Sequence, residues 1–202
     1  MPRACTFLVL LLLGVVPGLG CGSGGGDGGS GPVPANCGCN AAGATGTPGS
    51  TPSGPSGGMS AGEIALVEEV FAQVNAERTD RGLNPLAWHA AASDVAWTHT
   101  LYQVGLGQIT HDGPGACASP TDCLDQRLTA GGVTQANRSA WGENVARGQA
   151  TAQAVMCGGV SWMLSAGHCS NILEPTFTHI GIAVKTGDPN GPYWTQVFLR
   201  IR

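Results

Sequence analysis

Charge is scarce in this 202-residue chain: only 11% of residues are Asp, Glu, Lys or Arg, and the net charge is −4. Lys185 is the single lysine, against eight arginines, and no basic cluster occurs. A docking stripe for nucleic acid or another polyanion is therefore lacking. Aromatics make up 5%, and the five tryptophans are too dispersed to form a stacking platform. No His-Glu-x-x-His string and no zinc-ribbon cysteine spacing are present, which argues against the common zinc-protease and zinc-ribbon classes. Gly54-Pro55-Ser56-Gly57-Gly58 fits a serine-hydrolase string, but it has neither a strand before it nor a helix after it. Beyond the first 20 residues there is no long apolar run, so no later segment reads as a membrane span.

What is present is unevenly distributed. Arg3 followed by the apolar run Phe7 to Val16 and the small residues Gly18-Leu19-Gly20 reads as an export signal over residues 1–20. Residues 21–59 hold much of the chain's 33 Gly and 13 Pro. They have no apolar periodicity and read as a disordered Gly/Ser/Pro tether. Residues 60–202 then have the length of one domain with a sizeable core. Cys21, directly after Leu19-Gly20, resembles the lipidated cysteine of a bacterial lipoprotein box, although Gly18 stands where that box usually has an aliphatic residue. The expectation is an exported chain: an outer-membrane or cell-surface lipoprotein held only through that anchor, or a secreted protein.

Eight cysteines suit an oxidising compartment. Apart from Cys5 and Cys21, they fall into near pairs: Cys37/Cys39, Cys117/Cys123 and Cys157/Cys169. Six cysteines allow fifteen pairings. The spacing suggests disulfides Cys117–Cys123 and Cys157–Cys169. Cys37 and Cys39 are too close for an unstrained mutual bond, so they pair in trans or stay reduced.

Within the domain, Ser60 with Glu63 forms a capping box, and Ile64, Val67, Phe71 and Val74 recur at helical spacing. This predicts a helix to Arg81, ended by Gly82. Further helices are expected over Trp88 to about Leu106, Asp122 to Ala130 and Thr151 to Leu164. Trp141 to Val145 reads as a turn entering an extended segment. His179 to Lys185 and Tyr193 to Ile201 form a hairpin around Gly187-Asp188-Pro189-Asn190-Gly191. Helices around a small antiparallel sheet make the fold α+β.

Polar residues in this apolar domain gather in the motifs His111-Asp112-Gly113, Gly142-Glu143-Asn144 and Gly167-His168, which suggests one shared pocket. His99 reads as a core histidine, His89 as solvent-exposed and His179 as structural. Trp88, Trp141, Trp162 and Trp194 read as core aromatics. Asn137-Arg138-Ser139 matches a glycosylation string with no evident use in an exported bacterial-type chain.

The ordered set of motifs resembles the CAP superfamily (the SCP/PR1-like, cysteine-rich secretory protein family), most nearly its bacterial branch. The set starts with Asn75-Ala76-Glu77-Arg78, Gly82-Leu83-Asn84-Pro85-Leu86, His111-Asp112-Gly113, Arg127-Leu128 and Gly142-Glu143-Asn144-Val145-Ala146. It continues through Trp162-Met163, Gly167-His168, Asn171-Ile172-Leu173, Phe177-Thr178-His179 and Tyr193-Trp194-Thr195-Gln196. The resemblance implies a three-layer α-β-α sandwich. It also implies a cleft holding His111, Glu143 and His168, with Ser165 where many members carry a second glutamate, and with Asn144 beside Glu143.

Two imidazoles and a carboxylate are suitable ligands for zinc or another divalent cation. His111, His168 and Glu143 are thus the candidate metal ligands, although no cofactor is dictated. Without metal, a histidine oriented by Glu143 could act as a general base. Asn144 and Asn171 could equally be local braces. The residues therefore fit an extracellular binding module for a lipid, a small hydrophobic ligand or an envelope protein. They also fit a metal-assisted hydrolase of peptide or cell-envelope material.

Overall fold

The computed structural model describes residues 35–40 and 58–202. The signal-like segment, Cys21 and most of the expected tether lie outside the described residues. Among the described residues, no helix is long and apolar enough to cross a membrane.

The described residues form five α-helices and four strands in the order α1 (Ala61–Thr79), β1 (Ala87–Trp88), α2 (Ala90–Leu106), α3 (Pro120–Ala130), β2 (Arg138–Arg147), α4 (Ala152–Cys157), α5 (Ala166–Ile172), β3 (His179–Lys185) and β4 (Tyr193–Ile201). The sheet order is β1-β3-β4-β2. β3, β4 and β2 are antiparallel neighbours, whereas β1 runs parallel to β3. The α+β expectation holds, but the sheet is mixed rather than purely antiparallel. One face buries Ile180, Ile182, Val184, Trp194 and Phe198 against α1, α4 and α5. The other buries Ala183, Val197 and Leu199 against α2 and α3. The alternation along β3 and β4 thus feeds two cores, one on each side of the sheet.

Local chemistry sets the boundaries. Ser60 Oγ accepts from the Glu63 amide, and Glu63 Oε2 accepts from the Ser60 amide, so the capping box starts α1 as expected. Glu63 also accepts from the Thr186 amide at 2.8 Å and from Lys185 Nζ at 3.2 Å. The single lysine therefore ties the end of β3 to the cap of α1. Trp88, expected as the first residue of the second helix, belongs to β1, and His89 caps α2 through Nδ1. His89 is half-buried against His179 rather than solvent-exposed. α2 lies so close to β3 that a Cβ on Gly181 would sit 2.2 Å from the Ser93 nitrogen. Glycine is required there for packing, not for dihedral freedom.

The motif Asn75-Ala76-Glu77-Arg78 proves to be scaffolding. Asn75 bonds both the amide and the carbonyl of Leu86, at 2.7 and 3.1 Å. Arg78, fully buried, donates to the carbonyls of Asn84, Ile172, Glu174 and Phe177. It thereby fixes where α5 ends and where the chain turns toward β3, satisfying carbonyls that a buried loop would leave orphaned.

Further sequence expectations need correction. The helix expected over Thr151 to Leu164 stops at Cys157. A 3-10 turn at Trp162–Leu164 and the separate helix α5 follow, so His168 lies within a helix of its own. The segment around Trp141 is a ten-residue strand, not a turn. Cys157–Cys169 is not a disulfide: the bonds are Cys37–Cys169, Cys39–Cys157 and Cys117–Cys123. Only the last agrees with the expected pairing.

The crossed pairing docks residues 35–40 onto the domain, so the expected tether over 21–59 is not unstructured throughout. Glu77 accepts from the Asn40 amide at 3.1 Å, and Arg81 donates to the carbonyls of Asn36 and Gly38. The Gly38 amide bonds Met163 O at 3.0 Å. Near spacing failed as a guide because Cys157 and Cys169 lie on different helices, and each faces the docked Cys-Gly-Cys segment. These bonds join residues 132 and 118 apart in sequence. In the chain-entropy description, cross-links of that span restrict the unfolded chain strongly, by about 4–5 kcal/mol for the first one formed. Peptide mapping of the unreduced protein should recover Cys37–Cys169 and Cys39–Cys157. Replacing Cys37 and Cys39 by Ser should lower stability by about 2–5 kcal/mol in denaturant titration. A recovered Cys157–Cys169 peptide would contradict the arrangement.

Candidate functional site

The cleft is built on β2, one of the two edge strands of the sheet. Glu143 pairs with Val197 and faces the α2/α3 layer, whereas the next residue, Asn144, pairs with Gln196 and faces the other layer. The period of two in a strand thus sends these neighbours to opposite sides. The Glu143 carboxylate is almost completely buried, and three groups meet it. Arg127, in the last turn of α3, forks onto both oxygens, with Nη1 to Oε2 at 2.6 Å and Nη2 to Oε1 at 3.0 Å. His111 Nδ1 lies 3.0 Å from Oε1, and His99 Nε2 lies 3.7 Å from it. Burial would raise the Glu143 pKa, but the charge of Arg127, the neighbouring His99 and the hydrogen bonds from His111 and Arg127 hold it down at about 2.

An ionised carboxylate can only accept, so His111 must carry its hydrogen on Nδ1. Its Nε2 is left as the acceptor when the ring is neutral. The loop that brings His111 here is held at both of its backbone groups. His99 Nε2 donates to Thr110 O at 2.7 Å, and Gln103 Oε1 accepts from the Thr110 amide at 3.2 Å. Arg127 Nη2 also donates to His111 O at 3.1 Å. One guanidinium therefore fixes both the carboxylate and the backbone of the histidine that pairs with it. His99 is the buried core histidine expected from the sequence, 1% exposed. Burial lowers its pKa more than Glu143 raises it.

His168 enters from the opposite layer on α5, half-buried. Burial and then the proximity of His111 lower its pKa from 6.5 to about 4. Asn144 does not line the cleft surface: it is fully buried, and its Nδ2 donates to His168 O at 3.1 Å and to Gln196 Oε1 at 3.0 Å. Asn171 donates to Glu143 O at 3.1 Å and to Asn144 Oδ1 at 2.9 Å. These two amides stitch α5 to β2 and so set His168 relative to Glu143. Gly142 makes room for the stitch, since a Cβ there would lie 3.0 Å from Asn171 Oδ1. Ser165 is half-buried at the N-cap of α5, three residues before His168.

Sequence reasoning placed Arg127 in the family pattern but gave it no role. The available signal was physical: a glutamate amid apolar strand residues needs a partner, and arginine is the residue best shaped to supply two hydrogen bonds. Removing one partner of a buried ion pair costs on the order of 3–5 kcal/mol.

The donor set expected for a divalent cation does not fit one as arranged. Among the described residues, the one group of three His, Cys, Asp or Glu ligand atoms within 4.8 Å of one another is Cys39, Glu77 and Cys157. Both of those sulfurs are committed to a disulfide. His111, Glu143 and His168 do not converge to that extent, both Glu143 oxygens are held by Arg127, and His111 Nδ1 presents a hydrogen rather than a lone pair to the carboxylate.

The site thus lies on a two-core α-β-α sandwich, the fold that the family resemblance implies. The Cysteine-rich secretory protein family (CAP) model matches residues 71–198, and the chain belongs to that family. YkwD of Bacillus subtilis is 35% identical over 150 residues, covering 74% of this chain and 51% of its own length. The chain thus spans about half the length of that curated relative. An extracellular protein containing an SCP domain from Bacillus anthracis is 28% identical, with TM-score 0.58, over 72% of this chain and 45% of its own. An outer surface protein of Borrelia burgdorferi shares the fold at TM-score 0.56 and 16% identity, over 68% of this chain and 94% of its own.

The two pKa values both predict stability lost on the acid side of the pH profile, in successive windows. The folded-state value of His168, about 4, lies below the ordinary 6.5. As pH falls through that window the unfolded chain gains a proton that the folded chain refuses, so stability is lost. Above about 6.5 His168 imposes no such penalty. Glu143 stabilises fully above the ordinary 4.5 and loses that contribution as pH falls toward 2. His89, His99 and His179 are also lowered, so the readout is a difference between variants. Melting temperature should fall less steeply from pH 6.5 to 4 in His168→Asn than in wild type. Equal slopes would contradict the burial of a neutral His168.

Proposed function

We propose that the protein is an exported, envelope-tethered binding module whose cleft, formed by His111, Glu143 and His168, takes an amphiphilic ligand such as a lipid or small hydrophobic molecule. The observation that carries this reading is the internally neutralised Glu143–Arg127 pair, which leaves His111 Nε2 as an uncommitted hydrogen-bonding atom. Exposed apolar side chains adjoin the cleft residues in sequence: Leu106 and Ile109 are 46% and 38% exposed on the segment leading to His111, and Leu164 is 46% exposed next to Ser165. Polar and apolar groups together suit a ligand with a polar head and an apolar body. The extracellular SCP-domain relative supports export. The signal-like residues 1–20 and Cys21 support tethering through a lipid.

A second reading, hydrolysis without metal, is favoured by one observation: Glu143 orients His111 as it would a general base. Metal-assisted hydrolysis has no such support from the donor arrangement.

Fluorescent lipids and envelope fractions should bind the mature protein saturably, with affinity reduced at least tenfold in His111→Ala. No saturable binding to either probe would sink the module reading. Release of product from peptide or envelope material, lost in Glu143→Gln, would replace it with the hydrolase. Labelled fatty acid should enter wild type but not Cys21→Ser, and equal labelling would remove the anchor.

A further inference from the structure

We propose that Arg127 is the resident cation of this cleft: its guanidinium occupies the place on Glu143 that a divalent ion would take, and its charge keeps the site free of metal. Two imidazoles and one carboxylate are a donor set that ordinarily attracts zinc, so an arrangement in which they do not converge needs a physical cause. Arg127 supplies it in three ways.

The first is occupancy. The fork engages Oε2 at 2.6 Å and Oε1 at 3.0 Å, and Oε1 also accepts from His111. No carboxylate oxygen is left without a strong donor. The second is charge. The carboxylate is already neutralised, and a divalent ion entering beside a guanidinium would meet repulsion in a site where burial weakens solvent screening. Arginine does not deprotonate in proteins, so this barrier does not relax with pH. The third is geometry. The bond from Nη2 to His111 O holds the histidine in the position from which its Nδ1–H points at Glu143. A metal on that nitrogen would require the ring to lose this hydrogen and turn.

The C-terminal end of α3 is closely seated on α2: a Cβ on Gly131, directly after the helix, would lie 2.4 Å from Val95 Cγ2. The turn carrying Arg127 is therefore packed directly against α2. Arg127 is a positioning residue in this scheme: it acts on ligands through His111 and Glu143. The proposal rests on the cleft assigned above but not on its ligand. A cleft with no lipid ligand would still exclude zinc through Arg127, so the two readings fail separately.

The test is calorimetric titration of zinc alone into the mature protein with its disulfides intact. Wild type should show no zinc binding that depends on Glu143. Arg127→Gln should bind one zinc at least tenfold more tightly than wild type, and the added binding should vanish in Arg127→Gln/Glu143→Gln. Arg127→Lys, which keeps the charge without the fork, should behave as wild type. Zinc held elsewhere, as by the paired rings of His89 and His179, survives Glu143→Gln and leaves the cleft metal-free, as proposed. Tight zinc binding by wild type that is lost in Glu143→Gln or His168→Ala would overturn the proposal. So would a folded Arg127→Gln that binds zinc no better than wild type, or an Arg127→Lys that binds it as Arg127→Gln does. Should Arg127→Gln not fold, wild type against Glu143→Gln decides alone.

Discussion

The carboxylate of Glu143 lies where water cannot reach it, and the cleft is organised around satisfying it. An uncompensated carboxylate in that position would either take up a proton or oppose folding. Arg127 and His111 come from α3 and from the loop after α2, so pairing with Glu143 brings separate parts of the layer onto β2. His99 and Gln103 then hold the backbone of Thr110, which makes the position of His111 a property of α2 as well. The site is preorganised because its charge must be met within the protein.

On the other face of β2 the linkage is made by amides. Asn171 and Asn144 connect α5 to the strand, and Trp162 Nε1 donates to Val145 O at 3.2 Å. Asn171 and Trp162 thereby satisfy the Glu143 and Val145 carbonyls of an edge strand, groups that would otherwise be open to pairing with another chain. The same helix α5 carries Cys169, bonded to Cys37, and ends where Arg78 gathers the carbonyls of Ile172 and Glu174. His168 is therefore held from its N-terminal side by a 3-10 turn, from behind by amides and at its far end by a buried guanidinium. That is the reason a seven-residue helix, too short to be stable alone, can carry a site residue.

The second consequence of the α5 arrangement concerns the segment before the domain. Glu77, in the last turn of α1, accepts from the Asn40 amide, Arg81, just beyond α1, donates to the Asn36 and Gly38 carbonyls, and two disulfides secure the segment to α4 and α5. Residues 35–40 are thus held at a fixed place on the fold, on the side of α1, α4 and α5.

Much of this was legible in the sequence because it is local or periodic. The Ser60/Glu63 box began α1, the two β-rich runs became β3 and β4 at the expected bounds, and His99 was the buried histidine its helical neighbours implied. The motif order of His111, Glu143 and His168 identified the family because such an order survives without knowledge of distances. Contacts between residues far apart in the chain were not legible. Cys157 and Cys169 look like partners at a spacing of twelve, yet tertiary packing presents both to a segment more than a hundred residues earlier. Asn144 reads as a neighbour of Glu143, yet strand alternation sends it to the opposite core. Arg127 is an ordinary helix residue until α3 is laid across β2. Sequence by itself determined α1, β3 and β4 and which residue types are available to the cleft, since those depend on short-range sterics and apolar periodicity. Only the tertiary structure decided that a guanidinium neutralises the buried glutamate, because that choice depends on which charged groups folding brings within a few ångströms of one another.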